Sequence, residues 1–245
     1  IELHYATMPY RKNQFVNDGV YHIYSRGIDN NLIFKDINDY YRGIFSIYEL
    51  NNSIPTTIRD RRLIRANFKK QNRGPSSVFV DERDRLVDIF AFCFMPNHIH
   101  LLLKQIKNDG IKKFMSKVGT GYAGYFNRKY ERKGYVFQNR FKDVIIKNND
   151  QFRIIANYIF TNPISLIEPG WKEKGIENSD KVKKFLESYK WSSYLDTIGN
   201  KNFPSVVKLE FLLDVMGGER GCKDWVKDWI KYKQELKNYP EILLD

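Results

Sequence analysis

At 245 residues the chain can bury a sizeable core, enough for one catalytic domain and an extension. Its 41 lysines and arginines against 29 acids leave a formal net charge of +12, and 15% of its residues are aromatic, which favours a polyanionic partner, nucleic acid first. Two cysteines, Cys93 and Cys222, exclude a disulfide framework and a structural zinc knuckle, no run of about 18 apolar residues offers a membrane span, and no signal-peptide core opens the sequence, so a reducing cytoplasm is expected.

In chain order, Gly19 to Gly27 alternates between two glycines and reads as a first strand carrying His22. Asp36 and Asp39 form a capping pattern ahead of a helix through Tyr40, Tyr41, Ile44, Phe45 and Tyr48. A basic insertion over about 51–77 follows, holding Arg59, Arg61, Arg62, Arg65, Lys69, Lys70 and Arg73; it is either a solvated helix and loop or a clamp for a phosphate backbone.

Asp88 to Phe94 and His98 to Lys104 read as a hairpin turned by Pro96-Asn97. Asn108 or Asp109 is placed to cap a long helix with a stripe of Ile111, Phe114, Met115, Val118, Tyr122, Tyr125 and Phe126, stopped at Gly134. Tyr135 to Ile146 suggests a strand or strand pair, and Asn149-Asp150 starts a helix that Asn162-Pro163 ends. A helix near Phe211 to Val215 comes next. The last helix, with Trp225, Val226, Trp229 and Ile230 on one side, either packs on the domain or binds DNA.

This order suits an α+β fold, a ferredoxin-like antiparallel sheet with helices on one face. The expected division is a catalytic domain over 15–195 and a C-terminal helical extension over 196–245.

Two sets of residues carry chemistry. In a strand, His98 and His100 share one face while Ile99, Leu101 and Leu103 share the other. Imidazoles one strand repeat apart, roughly 7 Å at Cα, can converge on one divalent metal. Two satisfied histidines on a half-buried strand would show the same spacing. On the later helix Tyr158 and Asn162 are four apart and face the same way. A phenol beside an amide oxygen offers a nucleophile and a hard ligand, though a core tyrosine before a helix-ending Asn-Pro explains the spacing equally well.

Phe94-Met95-Pro96-Asn97-His98-Ile99-His100-Leu101-Leu102-Leu103 resembles the His-hydrophobic-His motif of HUH single-tyrosine transposases, especially the REP-associated tyrosine transposases with an IS200-like domain. Further pieces follow in that family's order: Tyr21 to Gly27, Tyr125 to Tyr130, Phe137 to Lys142, Tyr158 to Pro163 and Trp191-Ser192-Ser193-Tyr194. The agreement spans Val20 to Tyr194.

The resemblance implies that His98, His100 and Asn162 ligate a metal and that Tyr158 is the nucleophile. Bound Mg²⁺ or Mn²⁺ would polarise the scissile phosphate, and attack by Tyr158 would leave a 5′-phosphotyrosine and a free 3′-OH, with no nucleotide cofactor. The implied substrate is single-stranded or hairpin-bearing DNA, handled at the nucleoid in the cytoplasm. The phosphate contacts expected are Arg26, Arg59, Arg61, Arg62, Arg65, Lys69, Lys70, Arg128, Lys129, Arg140 and Lys142. A monomer is expected, with a dimer as the alternative. The rival readings are a domesticated, non-catalytic binder of structured single strands, a metal-dependent nuclease that uses water, and a relaxase or replication initiator of the wider HUH class. The basic insertion and the region after Tyr194 depart from the family pattern.

Overall fold

The structure is a computed structural model that describes residues 14–55, 57–71, 83–138 and 140–236, with the side chains of 69–71 and 236 not described. Strand β1 (Val20–Arg26) leads through α1 (Ile37–Glu49) and α2 (Ile58–Gln71) to the hairpin β2 (Val87–Met95) and β3 (His98–Gln105). Helix α3 (Gly110–Lys129), β4 (Lys142–Ile146) and α4 (Asn149–Thr161) follow. The chain continues with α5 (Trp171–Lys174), α6 (Ser179–Leu186), α7 (Tyr194–Thr197), α8 (Leu209–Met216) and α9 (Gly218–Leu236).

The four strands form one antiparallel sheet in the order β2-β3-β1-β4. This is the ferredoxin-like arrangement that the element order implied. Strand alternation sorts the core into two layers. Tyr21, Ile23, Ile99, Leu101 and Leu103 point to one side, where Ile44 and Ile47 of α1 and Ile111, Phe114, Val118, Tyr122 and Phe126 of α3 cover them. On the other side Cys93, Met95 and Leu102 meet Phe152, Ala156, Ile159 and Phe160 of α4. A register shift between Ile89 and Ala91 lets Phe90 and Ala91 both join this second layer.

Helices therefore cover both faces of the sheet. The crossover helices α1 and α3 share one face, as expected, and β2 is apolar on both faces, so its second face also requires a cover. Helix α4 supplies it together with Leu212, Val215 and Met216 of α8 and Cys222, Val226 and Ile230 of α9. On α9 the buried stripe runs through Cys222, Val226 and Ile230, while Trp225 remains 41% exposed. Among the described residues no helix is long and apolar enough to cross a membrane.

Three local expectations shift. Asp109 precedes α3 in the left-handed region with φ 57° and makes no side-chain cap; the oxygen of Gln105 accepts from the Ile111 N–H instead, at 3.2 Å. That helix ends at Lys129, five residues before Gly134. Among the described residues of the segment 135–146, Lys142–Ile146 is a strand and Phe137 makes one isolated bridge to Gly27.

The β2–β3 turn that carries His98 is held from outside the hairpin. The Pro96 carbonyl accepts from the backbone N–H groups of Ile33 (2.8 Å) and Phe34 (3.0 Å), and the Asn97 carbonyl accepts from Gly27 N–H at 2.8 Å. Gly27 leaves no room for a side chain: a Cβ there would lie 2.3 Å from the Asn31 carbonyl oxygen and 2.9 Å from Ile33 Cγ2. Residues 191–193 cover the free edge of β2, with Phe94 N–H donating to the Trp191 carbonyl at 2.9 Å and Ser193 N–H to that of Phe92 at 3.0 Å. Gly27→Ala is expected to lower stability in urea denaturation by about 1–3 kcal/mol, since backbone and not a flexible tip must move. An unchanged midpoint would show that this segment does not clamp the turn.

Candidate active site

Strand β3 places His98 and His100 on the face turned toward α4, and the register sets Arg26 opposite His98 and Tyr24 opposite His100. Their imidazole centroids lie 4.9 Å apart with the planes 88° to each other. Helix α4 starts on an Asn148 cap whose side chain accepts from Gln151 N–H, buries Phe152, Ala156, Ile159 and Phe160, and so turns Tyr158 and Asn162 toward the histidines. Pro163 lacks the N–H that would continue the α-helical ladder, and a 3₁₀ turn over Asn162–Leu166 takes over.

Hydrogen bonds define the state of His98. Asn97 turns its amide nitrogen toward the Asn30 carbonyl, 3.4 Å away, and its Oδ1 lies 2.6 Å from His98 Nδ1. A carbonyl oxygen only accepts, so His98 carries its proton on Nδ1 and leaves the Nε2 lone pair free. That lone pair faces Asn162 Oδ1 at 3.4 Å, while Asn162 Nδ2 is buried without a partner. Two acceptors facing each other fit a cation between them; in its absence, exchanging the ends of the Asn162 amide would let Nδ2 donate to His98. Among the described residues no three His, Cys, Asp or Glu side chains form a metal-binding group, so a third protein ligand beside His98 and His100 would have to come from another residue type, such as the Asn162 amide. The donor set is then two imidazoles and a carbonyl oxygen, compatible with Mn²⁺ or Mg²⁺.

Burial keeps these imidazoles neutral. Desolvation lowers His22 to about 4, and His98 also to about 4, where the Asn162 contact opposes the burial and the charges of Arg26 and Lys172 add to it. His100, 4% exposed, is held well below the ordinary imidazole value by burial and by its neighbours His98 and His22. All three present lone pairs at neutral pH. His22, from the next strand, brings its Nε2 to 2.9 Å from His100 Nδ1.

Tyr158 stands edge-on to His100 and His22, with ring centroids at 5.4 and 5.9 Å. Its phenol oxygen is 3.3 Å from Lys172 Nζ on α5, and the same ammonium lies 4.5 Å from the ring centroid. Sequence reasoning missed Lys172. It sits on a four-residue helix with no motif around it, one of 41 basic residues.

The basic residues divide into two groups. Arg26 and Lys142 share the site face, with Lys142 Nζ 5.6 Å from the Tyr24 ring and Arg26 Nε buried without a partner. Beside them on β4, Val144 is 46% exposed opposite His22, so this edge of the site face is open. The remaining candidates lie toward the α1 and α3 layer. Arg61 is buried with Nε 3.0 Å from Glu49, and Arg65 reaches the same carboxylate at 2.8 Å, so both tie α2 to α1. Lys129 joins Asp36 at 2.6 Å and the fully buried Asp39 at 2.7 Å. Asp39 also accepts from Tyr125 and Tyr130; burial pushes its carboxyl up, but these donors outweigh it and hold the carboxyl below its ordinary value. Arg61, Arg65 and Lys129 therefore already neutralise carboxylates. Arg59 and Arg62 on α2 and Arg128 on α3 are exposed, and Arg140 is exposed on the rim of a cavity of about 490 Å³ between α3 and residues 134–141. The side chains of Lys69 and Lys70, and Arg73 entirely, lie outside the described residues.

Because His22 binds its proton near pH 4 when folded and near 6.5 when unfolded, the unfolded chain holds more protons in between, and stability falls as pH falls through that window. In the presence of a chelator, urea denaturation is expected to show a loss of about 2 kcal/mol from His22 alone between about pH 7 and about pH 5. That part of the loss should vanish in His22→Gln. An identical pH profile in the two proteins would mean that His22 is not held neutral.

Comparison with known proteins gives one family: residues 61–162 match the family model described as Transposase IS200 like. A solved structure of a REP-associated tyrosine transposase bound to a REP hairpin is similar over 82% of this chain and 92% of that chain, at 14% identity and a TM-score of 0.45. No curated protein matches the chain. The chain resembles the IS200-like transposases, over a stretch that contains His98, His100, Tyr158 and Asn162.

Proposed function

We propose that this chain is a single-tyrosine DNA transposase that cleaves and rejoins single-stranded or hairpin-bearing DNA, with Tyr158 as nucleophile. The observation that carries the reading is the meeting of two separate elements: His98 and His100 from β3 with Tyr158 and Asn162 from α4, in one half-buried site. The family match over residues 61–162 adds the transposase class.

His98 Nε2, Asn162 Oδ1 and one nitrogen of His100 would hold the metal, Mg²⁺ or Mn²⁺. When bound, the ion supplies positive charge at the nonbridging oxygens of a phosphodiester. The chain's own groups supply the rest. Lys172 donates to the Tyr158 phenol oxygen at 3.3 Å, which orients the phenol and sets a positive charge beside the atom that attacks. Arg26, with an unpartnered Nε beside His98, and Lys142 across Tyr24 are placed to receive the DNA backbone. The edge at the half-buried Tyr24 and the exposed Val144 admits an unpaired strand where a duplex would have to melt first.

Attack forms the Tyr158 Oη–P bond, breaks the bond to the 3′ oxygen and leaves that oxygen protonated. The energy of the ester is retained in the 5′-phosphotyrosine, so a second 3′-OH can reverse the step without a nucleotide cofactor. Each of these groups comes from one chain, which favours a monomer as the active unit.

Incubation with labelled hairpin oligonucleotides and Mn²⁺, followed by a denaturing gel, is expected to give a covalent protein–DNA band that Tyr158→Phe abolishes. Lys172→Met is expected to slow its formation by about tenfold to hundredfold. Cleavage that persists in Tyr158→Phe would overturn the tyrosine mechanism in favour of a water nucleophile.

A further inference from the structure

We propose that His22 is a positioning residue for the metal site: its Nε2 accepts the Nδ1 proton of His100 and so fixes His100 as the tautomer that ligates through Nε2. This deepens the function proposed above and rests on its metal site.

The two nitrogens are 2.9 Å apart, and that distance takes up most of the 5.1 Å between the ring centroids. With the planes only 20° apart, the rings meet edge to edge and nearly coplanar, the alignment of a direct N–H···N hydrogen bond. Both rings are buried, His22 at 7% exposure and His100 at 4%, and two ring nitrogens 2.9 Å apart need one proton between them, since two lone pairs or two N–H groups facing each other would repel. Only two arrangements satisfy it. In one, His22 donates, His100 Nδ1 accepts, and the His100 proton sits on Nε2, which then cannot ligate. In the other, His100 donates from Nδ1, the His22 proton sits on its own Nδ1, and His100 Nε2 carries a lone pair. Since Nδ1 of His100 is occupied by His22, Nε2 is the nitrogen left for a metal. Only the second arrangement makes a ligand of it.

His98 obtains the same tautomer from a different partner, the Asn97 oxygen at 2.6 Å. One strand thus carries two imidazoles, each with Nδ1–H engaged by an acceptor and Nε2 free. Such outer partners fix the orientation and raise the basicity of ligating histidines. The Tyr24 ring, 5.7 Å from His100, restricts the imidazole further.

Two measurements test this. In the unchanged protein labelled with ¹⁵N-histidine and free of metal, long-range ¹H–¹⁵N spectra should show His100 protonated at Nδ1; protonation at Nε2 would overturn the inference without any substitution. Mn²⁺ binding, followed by the electron paramagnetic resonance of the free ion, should weaken by about 10–100-fold in His22→Phe. That variant keeps ring packing and loses the acceptor. His22→Gln, whose side-chain oxygen accepts, should recover most of the affinity, a rescue that a merely structural histidine would not show. Equal Mn²⁺ affinity in the unchanged protein and in His22→Phe would overturn the role of His22 alone. No Mn²⁺ uptake by the unchanged protein would overturn the metal site itself, and this inference with it.

Discussion

The two-residue period of β3 is the constraint on which the molecule depends. Ile99, Leu101 and Leu103 have to enter the layer beneath α1 and α3, and that requirement turns His98 and His100 to the opposite face. A slip of one residue would drive the imidazoles into the apolar layer under α3 and push three large aliphatic side chains into the space beneath α4, so the hydrophobic core and the site share one register. The neighbouring strand obeys the same rule. Tyr21 and Ile23 lock β1 from below, and His22, Tyr24 and Arg26 consequently appear beside the histidines.

A second layer turns this array into a half-buried site, open at the β4 edge. Helix α4 inserts Phe152, Ala156, Ile159 and Phe160 against β2, and the turn of helix between them carries Tyr158 and Asn162 to the sheet. The C-terminal helices pack behind α4 through Leu212, Val226 and Ile230. They share one apolar cluster with the helix that supplies Tyr158 and Asn162. Precision at Tyr158 therefore depends on packing far along the chain.

Much of the frame was legible in the sequence because its signals are local. Alternation over His98 to Leu103, the Pro96-Asn97 turn, the Asp36–Asp39 capping box and the four-residue spacing of Tyr158 and Asn162 each specify structure within a few residues. What escaped were facts of long-range packing. Lys172 meets Tyr158 because α5 folds back over α4, and nothing local marks it. The charge run from Arg59 to Lys70 does not tell which guanidinium faces inward; Glu49, from the previous helix, selects Arg61 and Arg65. Lys129 likewise belongs to a buried carboxylate ninety positions away. The cap of α3 was misplaced because Gln105, at the end of a strand, supplies an acceptor in place of the Asp109 side chain.

The neutrality of the proposed ligand set bears on the choice of substrate. Two imidazoles and an amide oxygen bring no negative charge, so a divalent ion held by them would keep its full charge, and Arg26, opposite His98, and Lys172, at the Tyr158 phenol, would add to it. Carboxylate ligands would bind the cation more tightly but would repel an incoming phosphodiester and lessen the field at phosphorus. A neutral set gives up cation affinity for anion affinity. Metal and DNA backbone should then bind with positive coupling, each supplying the charge the other lacks, and the half-buried setting strengthens that coupling relative to water. The burial that lowers the pKa of His22, His98 and His100 fits the same proposal: protonated imidazoles would repel a cation, and neutral ones would leave the positive charge on the proposed ion, facing the phosphate.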